Sequence, residues 1–319
     1  MTYIEQQTIP IIDIAPCLAR SAEGKQQVVR EVGRACEEIG FLMITGHSVS
    51  ADLIEKTYAL AREFFDLPVE EKLKVHTTPA GVGYMPLQLE SLAASLGQKT
   101  PADLKESMNI GRDFAQDRWP AIPAEAKPTW IAYFQAVEAL AAQIMRIFAL
   151  ALDLPEHYFD DKIDRPNAFF RMINYPDQQA EPEPGQLRAG EHTDYGSLTI
   201  LRIEDAPGGL QVRNRAGEWV DVKAVPGAFV INIGDMMQHW TNDRWVSTLH
   251  RVVNPPRDKQ LGSRRQSLVF FHSPNSDTLL TCIESCCGPE HPPKYAPVEA
   301  GEYLDNKSRR TREARPGMG

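Results

Sequence analysis

The sequence lacks several features that mark common classes of protein. Its 319 residues contain no uninterrupted apolar run of roughly 18 residues, the length needed to span a bilayer. The N-terminus, MTYIEQQTIP, has no basic segment followed by an apolar one, as a secretory signal has. No GxGxxG or GxxxxGK[ST] motif is present, which argues against a nucleotide-binding sheet. We therefore expect a cytoplasmic protein without a membrane partner.

Positive charge and cysteine are also scarce. The chain has 34 Lys and Arg against 43 Asp and Glu, a formal charge of −9 that repels phosphate backbones, so we expect no nucleic-acid partner. The cysteine count of five is odd, and the spacing includes no CxxC pair. This argues against a disulfide framework and against a cysteine zinc site. No role is assigned to Cys286 and Cys287, and the sequence does not indicate an oligomeric state.

The N-terminal part reads as an αβ scaffold lobe over residues 1–125. TIPIIDIAP predicts an edge strand, and the apolar spacing from Lys25 to Ile39 predicts a helix that stops at Gly40. FLMITGH predicts a buried strand, and Ser50 is a candidate N-cap for a helix that ends before Pro68. The Gly- and Pro-rich stretch 77–128 predicts irregular loops at a lobe boundary.

The C-terminal part, residues 126–319, has a different sequence pattern. A long helical pattern from Thr129 to about Leu152 predicts a packed backbone helix. Short β-rich runs follow, separated by Gly, Pro and Asn, without helices between them: AFFRMINYP, SLTILRI, GLQVRN, EWVDV, AFVINIG, LHRVVNP, QSLVFFHS and TLLTCI. The predicted fold is mostly β with flanking helices (α+β), with a jelly-roll core, or double-stranded β-helix, behind the N-terminal αβ lobe.

A histidine and an aspartate stand two residues apart at the head of a β-rich run, in His192-Thr193-Asp194. Side chains alternate along a strand, so His192 and Asp194 face one side and Thr193 the other. His250, in LHRVVNP, can supply a third ligand from another strand. Two histidines and one carboxylate suit a non-haem Fe(II) site, whereas zinc more often takes a closed tetrahedron or cysteine. Alternatively, His192 is a hydrogen-bonded barrel residue and Asp194 caps the following turn.

A second pair follows fifteen residues after His250. Arg265 and Ser267 lie two apart in the β-rich run RQSLVFF, so a guanidinium and a hydroxyl face the same side. Such a pair can bind a carboxylate through a charge-assisted contact. The alternative is that Arg264 and Arg265 only end the charged loop RDKQLGSRR, which we accept for Arg264. The phase of Arg265 with Ser267 argues for an inward side chain.

In this order, HTD, LHRVV and RQS resemble the isopenicillin N synthase-like branch of the Fe(II)- and 2-oxoglutarate-dependent oxygenases. The resemblance covers nearly the whole chain, since FFDLPVEEK, GYMP, KESMNIG and INYP look like that family's N-terminal lobe and first core strands. One departure is the stretch PPRDKQLGS, which is longer than in the family's plant members. The resemblance implies that His192, Asp194 and His250 bind iron, while Arg265 and Ser267 bind the distal carboxylate of 2-oxoglutarate.

The resemblance also implies a reaction. 2-Oxoglutarate would bind iron through its keto oxygen and proximal carboxylate, and O2 would oxidise a C–H bond of a small-molecule metabolite with release of succinate and CO2. Hydroxylation, desaturation and ring closure all remain open. Two rival functions stay open as well. One is an oxidase of the isopenicillin N synthase type that needs no 2-oxoglutarate, and the other is a non-catalytic jelly-roll binding protein.

Other residues near the predicted iron site carry weaker expectations. Tyr175 matches the family's tyrosine before proline that faces the same pocket, where it could bind the cosubstrate, and a core aromatic is the alternative. His239 could line the active site, although a structural role is favoured. We expect the pocket walls to be mostly apolar or aromatic. They would come from the loop from Tyr84 to Leu96 and from Met108, Ile110, Phe170, Met172 and Phe271.

Overall fold

The computed structural model describes residues 9–19, 22–77, 81–114, 119–120, 123–178 and 180–313. Within these ranges the helices are α1 Ala15–Leu18, α2 Ala22–Glu38, α3 Ala51–Phe65, α4 Val69–Leu73, α5 Ala126–Ala151, α6 Asp235–Trp240 and α7 Ala300–Glu313. The strands are β1 Ile11–Asp13, β2 Phe41–Thr45, β3 Gly83–Met85, β4 Glu106–Ile110, β5 Asn167–Tyr175, β6 Ala189–His192, β7 Leu198–Ile203, β8 Leu210–Arg213, β9 Trp219–Asp221, β10 Phe229–Ile233, β11 His250–Val252, β12 Arg265–Ser273, β13 Leu279–Leu280 and β14 Val298–Glu299. Short 3-10 helices span Leu92–Leu96, Asp160–Lys162, Arg257–Lys259 and Glu284–Cys286.

Helices α2 and α3 begin and end close to the predicted residues. α2 ends before Gly40, whose φ of +66° suits glycine, and a side chain there would collide with the carbonyl oxygen of Val246. The hydroxyl of Ser50 caps α3 by accepting a hydrogen bond from the amide of Leu53 at 3.5 Å. α3 ends before Pro68. Local sequence signals are therefore sufficient to set these helix ends.

Helix α5 is the longest element and forms the centre of the apolar core. Its buried side chains include Trp130, Phe134 and Phe148. They pack against α2, α3 and the outer face of the large sheet. Within the described part of the chain, α5 alone is long and apolar enough to cross a membrane, and half of that stretch is buried inside the fold. Its apolar surface is therefore used in packing against the sheet.

Two sheets form the jelly-roll core. The large sheet has the order β1-β2-β10-β7-β12-β5-β4-β3, and the small one has the order β6-β11-β8-β9. The sheets do not close into a continuous barrel. An interior cluster joins them, with Tyr175 and Val269 from the large sheet against Ala189 and Val252 from the small one. The predicted β-rich runs after α5 all contain strands, which confirms the jelly-roll prediction, although the short helix α6 lies between β10 and β11, where no helix was expected.

The stretch predicted as irregular, 77–128, contains two strands. β4 pairs with β5, and β3 pairs with β4, so this stretch extends the large sheet at one edge. The prediction was wrong there because the strands are short and lie between Gly- and Pro-rich segments, which hide the alternation. The lobe division at residue 125 stays a prediction, and strands from both sides of it share the large sheet.

Candidate metal and cosubstrate site

The two histidines predicted as ligands are direct cross-strand partners. His192 ends β6 and His250 begins β11, and the antiparallel register sets them opposite each other, with ring centroids 4.2 Å apart. Each Nδ1 lies against a backbone carbonyl, that of Gly190 at 2.8 Å for His192 and that of Thr248 at 3.0 Å for His250. These contacts place the proton on Nδ1 and leave both Nε2 atoms as electron-pair donors.

Asp194 completes the group from the turn that follows β6. Its Oδ1 lies 3.9 Å from Nε2 of His192 and 3.8 Å from Nε2 of His250. Its other oxygen, Oδ2, accepts hydrogen bonds from Thr199 Oγ1 at 2.6 Å and from Asn232 Nδ2 at 2.7 Å. The motif was expected at the head of a strand, but it lies at the end of β6, and the turn brings Asp194 back toward the histidines.

Burial and mutual charge fix the protonation of this group. The pKa of His192 is lowered to about 3, first by burial and then by the neighbouring His250. Burial raises the pKa of the Asp194 carboxyl, but the two histidines and the hydrogen bonds from Asn232 and Thr199 outweigh burial and bring it below its ordinary value. A neutral imidazole and an ionised carboxylate are the forms that bind a metal ion.

The donor set fits Fe(II). Within the described residues, His192, Asp194 and His250 form the group whose ligand atoms all lie within 4.8 Å of one another. Two imidazoles and one carboxylate, without a thiolate, are the donors of the facial arrangement used by non-haem iron oxygenases. In each side chain the atom that would not bind the metal, Nδ1 of both histidines and Oδ2 of Asp194, is held by a hydrogen bond. The three donor atoms are therefore directed toward one point.

Arg265 and Ser267 lie inside the core, as expected from their phase in β12. They are 2% and 3% exposed, and the register pairs Arg265 with Tyr175 of β5. The guanidinium lies 5.7 Å from the ring of Tyr175. Its Nη1 donates to the carbonyl of Gly208 at 3.2 Å, while its Nε is buried without a partner. An unpaired buried guanidinium nitrogen beside a hydroxyl fits a carboxylate ligand.

Tyr175 faces the same interior and Asn174 does not. Burial raises the pKa of the Tyr175 phenol, which Lys105 and Arg265 lower in part, so the hydroxyl is neutral and lies in a positive field. The side chain of Asn174 instead binds Glu106 and Arg264 on the opposite face of β5. Adjacent residues of a strand face opposite sides, so Tyr175 and Asn174 lie in different environments.

The expectation of apolar pocket walls was wrong for most of the residues named. Met108 and Ile110 of β4 and Phe170 and Met172 of β5 all belong to the core cluster formed with α5. Tyr84 belongs to it as well, and its hydroxyl donates to Glu106 at 2.5 Å. Of the apolar residues named, Phe271 of β12 does lie in the interior between the sheets. The residues of β4 and β5 that alternate with the core residues therefore line the interior.

Some of the side chains on this inner side are polar, although Ile173 and Tyr175 of β5 belong to the apolar interior cluster. Arg171 of β5 donates through Nε to Asn109 of β4 at 2.8 Å, and its guanidinium lies 5.5 Å from the ring of Phe271. Lys105 forms ion pairs with Glu90 at 2.9 Å and with Asp103 at 3.3 Å, all within the fold. The field of Lys105 reaches both His192 and Tyr175. The interior thus carries paired charges close to the candidate metal site.

The C-terminal helix α7 covers the loop that carries Asp194. Its Lys307 donates to Asp235 at 2.7 Å, and Thr193 donates to the same carboxylate oxygen at 3.3 Å. Lys307 also lies 5.6 Å from the ring of Tyr195. His239 stacks on Tyr295, with centroids 4.6 Å apart, in the segment before α7. This contact supports the structural role favoured for His239.

Two known sequence families match the chain. Residues 9–132 match the family described as "non-haem dioxygenase in morphine synthesis N-terminal", and residues 166–274 match the "2OG-Fe(II) oxygenase superfamily". The 2-oxoglutarate-Fe(II) type oxidoreductase hxnY of Emericella nidulans is 34% identical over 316 residues, covering 92% of this chain and 88% of that protein. A homoarginine-6-hydroxylase of Arabidopsis thaliana is 33% identical over 304 residues, covering 88% and 89%.

Solved structures show the same fold. A full-length protein of Neurospora crassa, crystallised in complex with alpha-KG and thymine, is 32% identical and superposes with a TM-score of 0.86, covering 97% of this chain and 98% of that one. A 2OG-Fe(II) oxygenase family protein of Caulobacter crescentus is 28% identical, with a TM-score of 0.82 and coverage of 94% and 98%.

Proposed function

Because this chain belongs to the Fe(II)- and 2-oxoglutarate-dependent oxygenase superfamily, we propose that it hydroxylates a small, polar metabolite, with His192, Asp194 and His250 holding the iron. Arg265 and Ser267 bind the distal carboxylate of 2-oxoglutarate, and Tyr175 lines the same end of the pocket. The chain is an oxidoreductase of the dioxygenase type and uses Fe(II) with 2-oxoglutarate.

The protein's own residues hold the metal ligands in place, bind the cosubstrate and keep water out of the site. Bound Fe(II), with 2-oxoglutarate and O2, supplies the oxidising power, and 2-oxoglutarate leaves as succinate and CO2 as the substrate C–H bond is oxidised. The backbone contacts of His192 and His250 hold both Nε2 atoms in the unprotonated form. Thr199 and Asn232 hold Asp194 ionised. The apolar layer around Tyr175 and Val269 excludes water from the interior.

The observation that carries the proposal is the register between β6 and β11. It sets His192 directly opposite His250, and the turn after β6 brings Oδ1 of Asp194 within 3.9 Å of both Nε2 atoms. Three donors from two distant parts of the chain, each fixed by a further hydrogen bond, form a preorganised metal site. A histidine pair used only for packing would not need its carboxylate oriented by two buried donors.

A polar substrate is supported by the interior residues of β4 and β5. Arg171 of β5 offers a charged donor and Asn109 of β4 a neutral amide, and Glu90, which precedes the first 3-10 helix, adds a carboxylate beside Arg171. The ring of Phe271 offers a flat apolar surface beside the guanidinium. One protein similar to this chain is named as a hydroxylase of homoarginine, and another was crystallised with thymine; both are small nitrogen-containing compounds. Both compounds are small and carry several hydrogen-bonding groups, which such a pocket suits.

The direct test loads the purified protein with Fe(II) without oxygen and adds 2-oxoglutarate. We expect the weak visible charge-transfer band of an iron-bound 2-oxo acid, and we expect Arg265→Met to require at least roughly tenfold more 2-oxoglutarate to reach it. Succinate release after oxygen is admitted then screens small polar candidates. Iron binding without a band at any 2-oxoglutarate concentration would contradict the proposal and point to the cosubstrate-independent oxidase. A band without oxygen consumption in any mixture would point to a binding protein.

A further inference from the structure

A second guanidinium lies buried beside that of Arg265. Arg188, one residue before β6, is 0% exposed, the most complete burial that an arginine can have. Its nitrogens donate to the carbonyls of Pro207 at 3.1 Å and Pro176 at 3.2 Å, and to both oxygens of Ser263 at 2.9 Å. Every one of these partners is neutral. Arg188 therefore keeps its position without a carboxylate.

The two guanidiniums are fixed to one loop. Arg188 binds the carbonyl of Pro207 and Arg265 binds the carbonyl of the next residue, Gly208, each through Nη1. A side chain on Gly209 would meet Nη1 of Arg265 at 3.2 Å, so the backbone of this loop lies directly against the guanidinium. The loop thus holds two positive charges side by side at the cosubstrate end of the interior.

This pair of charges is not balanced by an acid. Within the described ranges, both guanidiniums donate to backbone carbonyls and to the Ser263 hydroxyl and to no carboxylate, although the field of Asp177 reaches Arg188. The Nε atoms of both arginines are buried and lack a hydrogen-bond partner. Burial first and the charge of Arg265 second lower the pKa of Arg188 to about 10. Two like charges in a buried site cost stability unless an anion joins them.

We propose that Arg188 is a second cationic residue of the 2-oxoglutarate site, which strengthens binding of the distal carboxylate and makes the site select 2-oxo dicarboxylic acids over 2-oxo monocarboxylic acids. The inference rests on the proposed binding of that carboxylate by Arg265. Arg265 contacts the carboxylate, while Arg188 acts through its charge and through the shared loop, as a positioning residue. The family motifs quoted from the sequence do not include it.

The test compares two cosubstrates in three variants. Arg188→Met removes the charge but keeps the length, and Arg188→Lys keeps the charge with fewer hydrogen bonds. Arg202→Met is the matched control, because Arg202 also donates only to backbone carbonyls, those of Val225 and Ala228, and has a buried Nε without a partner. It pairs with Leu268 on β12, on the face opposite to Ser267. Fe(II)-loaded, oxygen-free protein is titrated with 2-oxoglutarate and with pyruvate, which lacks the distal carboxylate.

We expect Arg188→Met to weaken 2-oxoglutarate binding roughly tenfold or more and pyruvate binding by less than about twofold. Arg188→Lys should fall between wild type and Arg188→Met, and Arg202→Met should match wild type for both acids. The rise in unfolding temperature on adding 2-oxoglutarate should shrink in Arg188→Met. Equal losses for both acids, or a lowered unfolding temperature with unchanged 2-oxoglutarate affinity, would assign Arg188 a structural role and overturn the inference. Failure of wild-type protein to bind 2-oxoglutarate would instead refute the proposed function.

Discussion

Replacing Thr199 by Val should weaken iron binding without touching a ligand. The hydroxyl of Thr199 donates to Oδ2 of Asp194 at 2.6 Å, and Thr199 is 3% exposed. Valine has nearly the same shape, so the substitution removes one hydrogen bond and leaves the packing in place. Without that bond the carboxylate can rotate, and Oδ1 is no longer directed at the two Nε2 atoms.

The size of the effect follows from the character of the bond. A hydrogen bond to a charged group contributes about 1.5–3 kcal/mol, and a tenfold change in affinity corresponds to about 1.4 kcal/mol. Asn232 still donates to the same oxygen at 2.7 Å, so part of the orientation survives. We therefore expect Fe(II) affinity to fall roughly tenfold in Thr199→Val and by more in a variant that also carries Asn232→Leu.

The assay is an anaerobic competition for Fe(II) against a chromogenic chelator, with the unfolding temperature measured in parallel. Thr57→Val is the control, because Thr57 is also fully buried and its hydroxyl donates to the carbonyl of Leu53 at 2.7 Å, far along the chain in α3. Both substitutions should lower stability, but only Thr199→Val should lower iron affinity. Iron affinity within about twofold of wild type in Thr199→Val, or an equal loss in Thr57→Val, would refute the reasoning.

Three further predictions concern other parts of the structure. Arg171→Gln should raise the KM for the best substrate about tenfold and leave the KM for 2-oxoglutarate unchanged, and Arg171→Lys should give an intermediate KM for the substrate. Steady-state kinetics measure both constants. Equal changes in the two KM values would show that Arg171 does not line the substrate pocket. Glu106→Leu should lower the free energy of unfolding by roughly 3–5 kcal/mol in urea, because it leaves the buried Lys72 unpaired, and adding Lys72→Met should recover much of the loss. Burial lowers the pKa of His272 from 6.5 to about 4. As the pH drops from 6.5 to 4, this histidine is therefore protonated in the unfolded chain before it is protonated in the folded protein. The free energy of unfolding should fall by up to roughly 3 kcal/mol over that range. His272→Gln should flatten that part of the pH profile of unfolding, and an unchanged slope would show that other groups cause it.

Short-range spacing in the sequence was enough to predict which side chains lie near each other. His192 with Asp194 and Arg265 with Ser267 lie two residues apart, and the structure places each pair on one side of the interior. The supporting residues Thr199, Asn232 and Arg188 were missed. They lie on neighbouring strands or next to the motif, and only the register shows what their polar groups contact. A buried polar residue in an otherwise apolar strand, such as Asn232 in AFVINIG, was the available signal.

The pocket walls were mispredicted for a different physical reason. β4 and β5 are covered on both faces, by α5 outside and by the small sheet inside, so apolar side chains do not identify the inward face. Met108 and Met172 are core residues, whereas their neighbours Asn109 and Arg171 face inward. Alternation from Tyr175 would have identified Arg171 as facing inward, because the two residues are four positions apart in the same strand.

The strand order of the large sheet determines when this protein can fold. β2 is paired on one side with β10, with Ile44 opposite Phe229, so its partner is synthesised long after it. Four of its five residues are buried in the finished fold. Through most of its synthesis a nascent chain therefore carries a strongly apolar strand whose β10 edge has no partner, and such an edge can pair with other chains. Contacts this distant in sequence also slow folding. Recovery of active protein should thus depend on chaperone supply and growth temperature more than on the stability of the finished molecule.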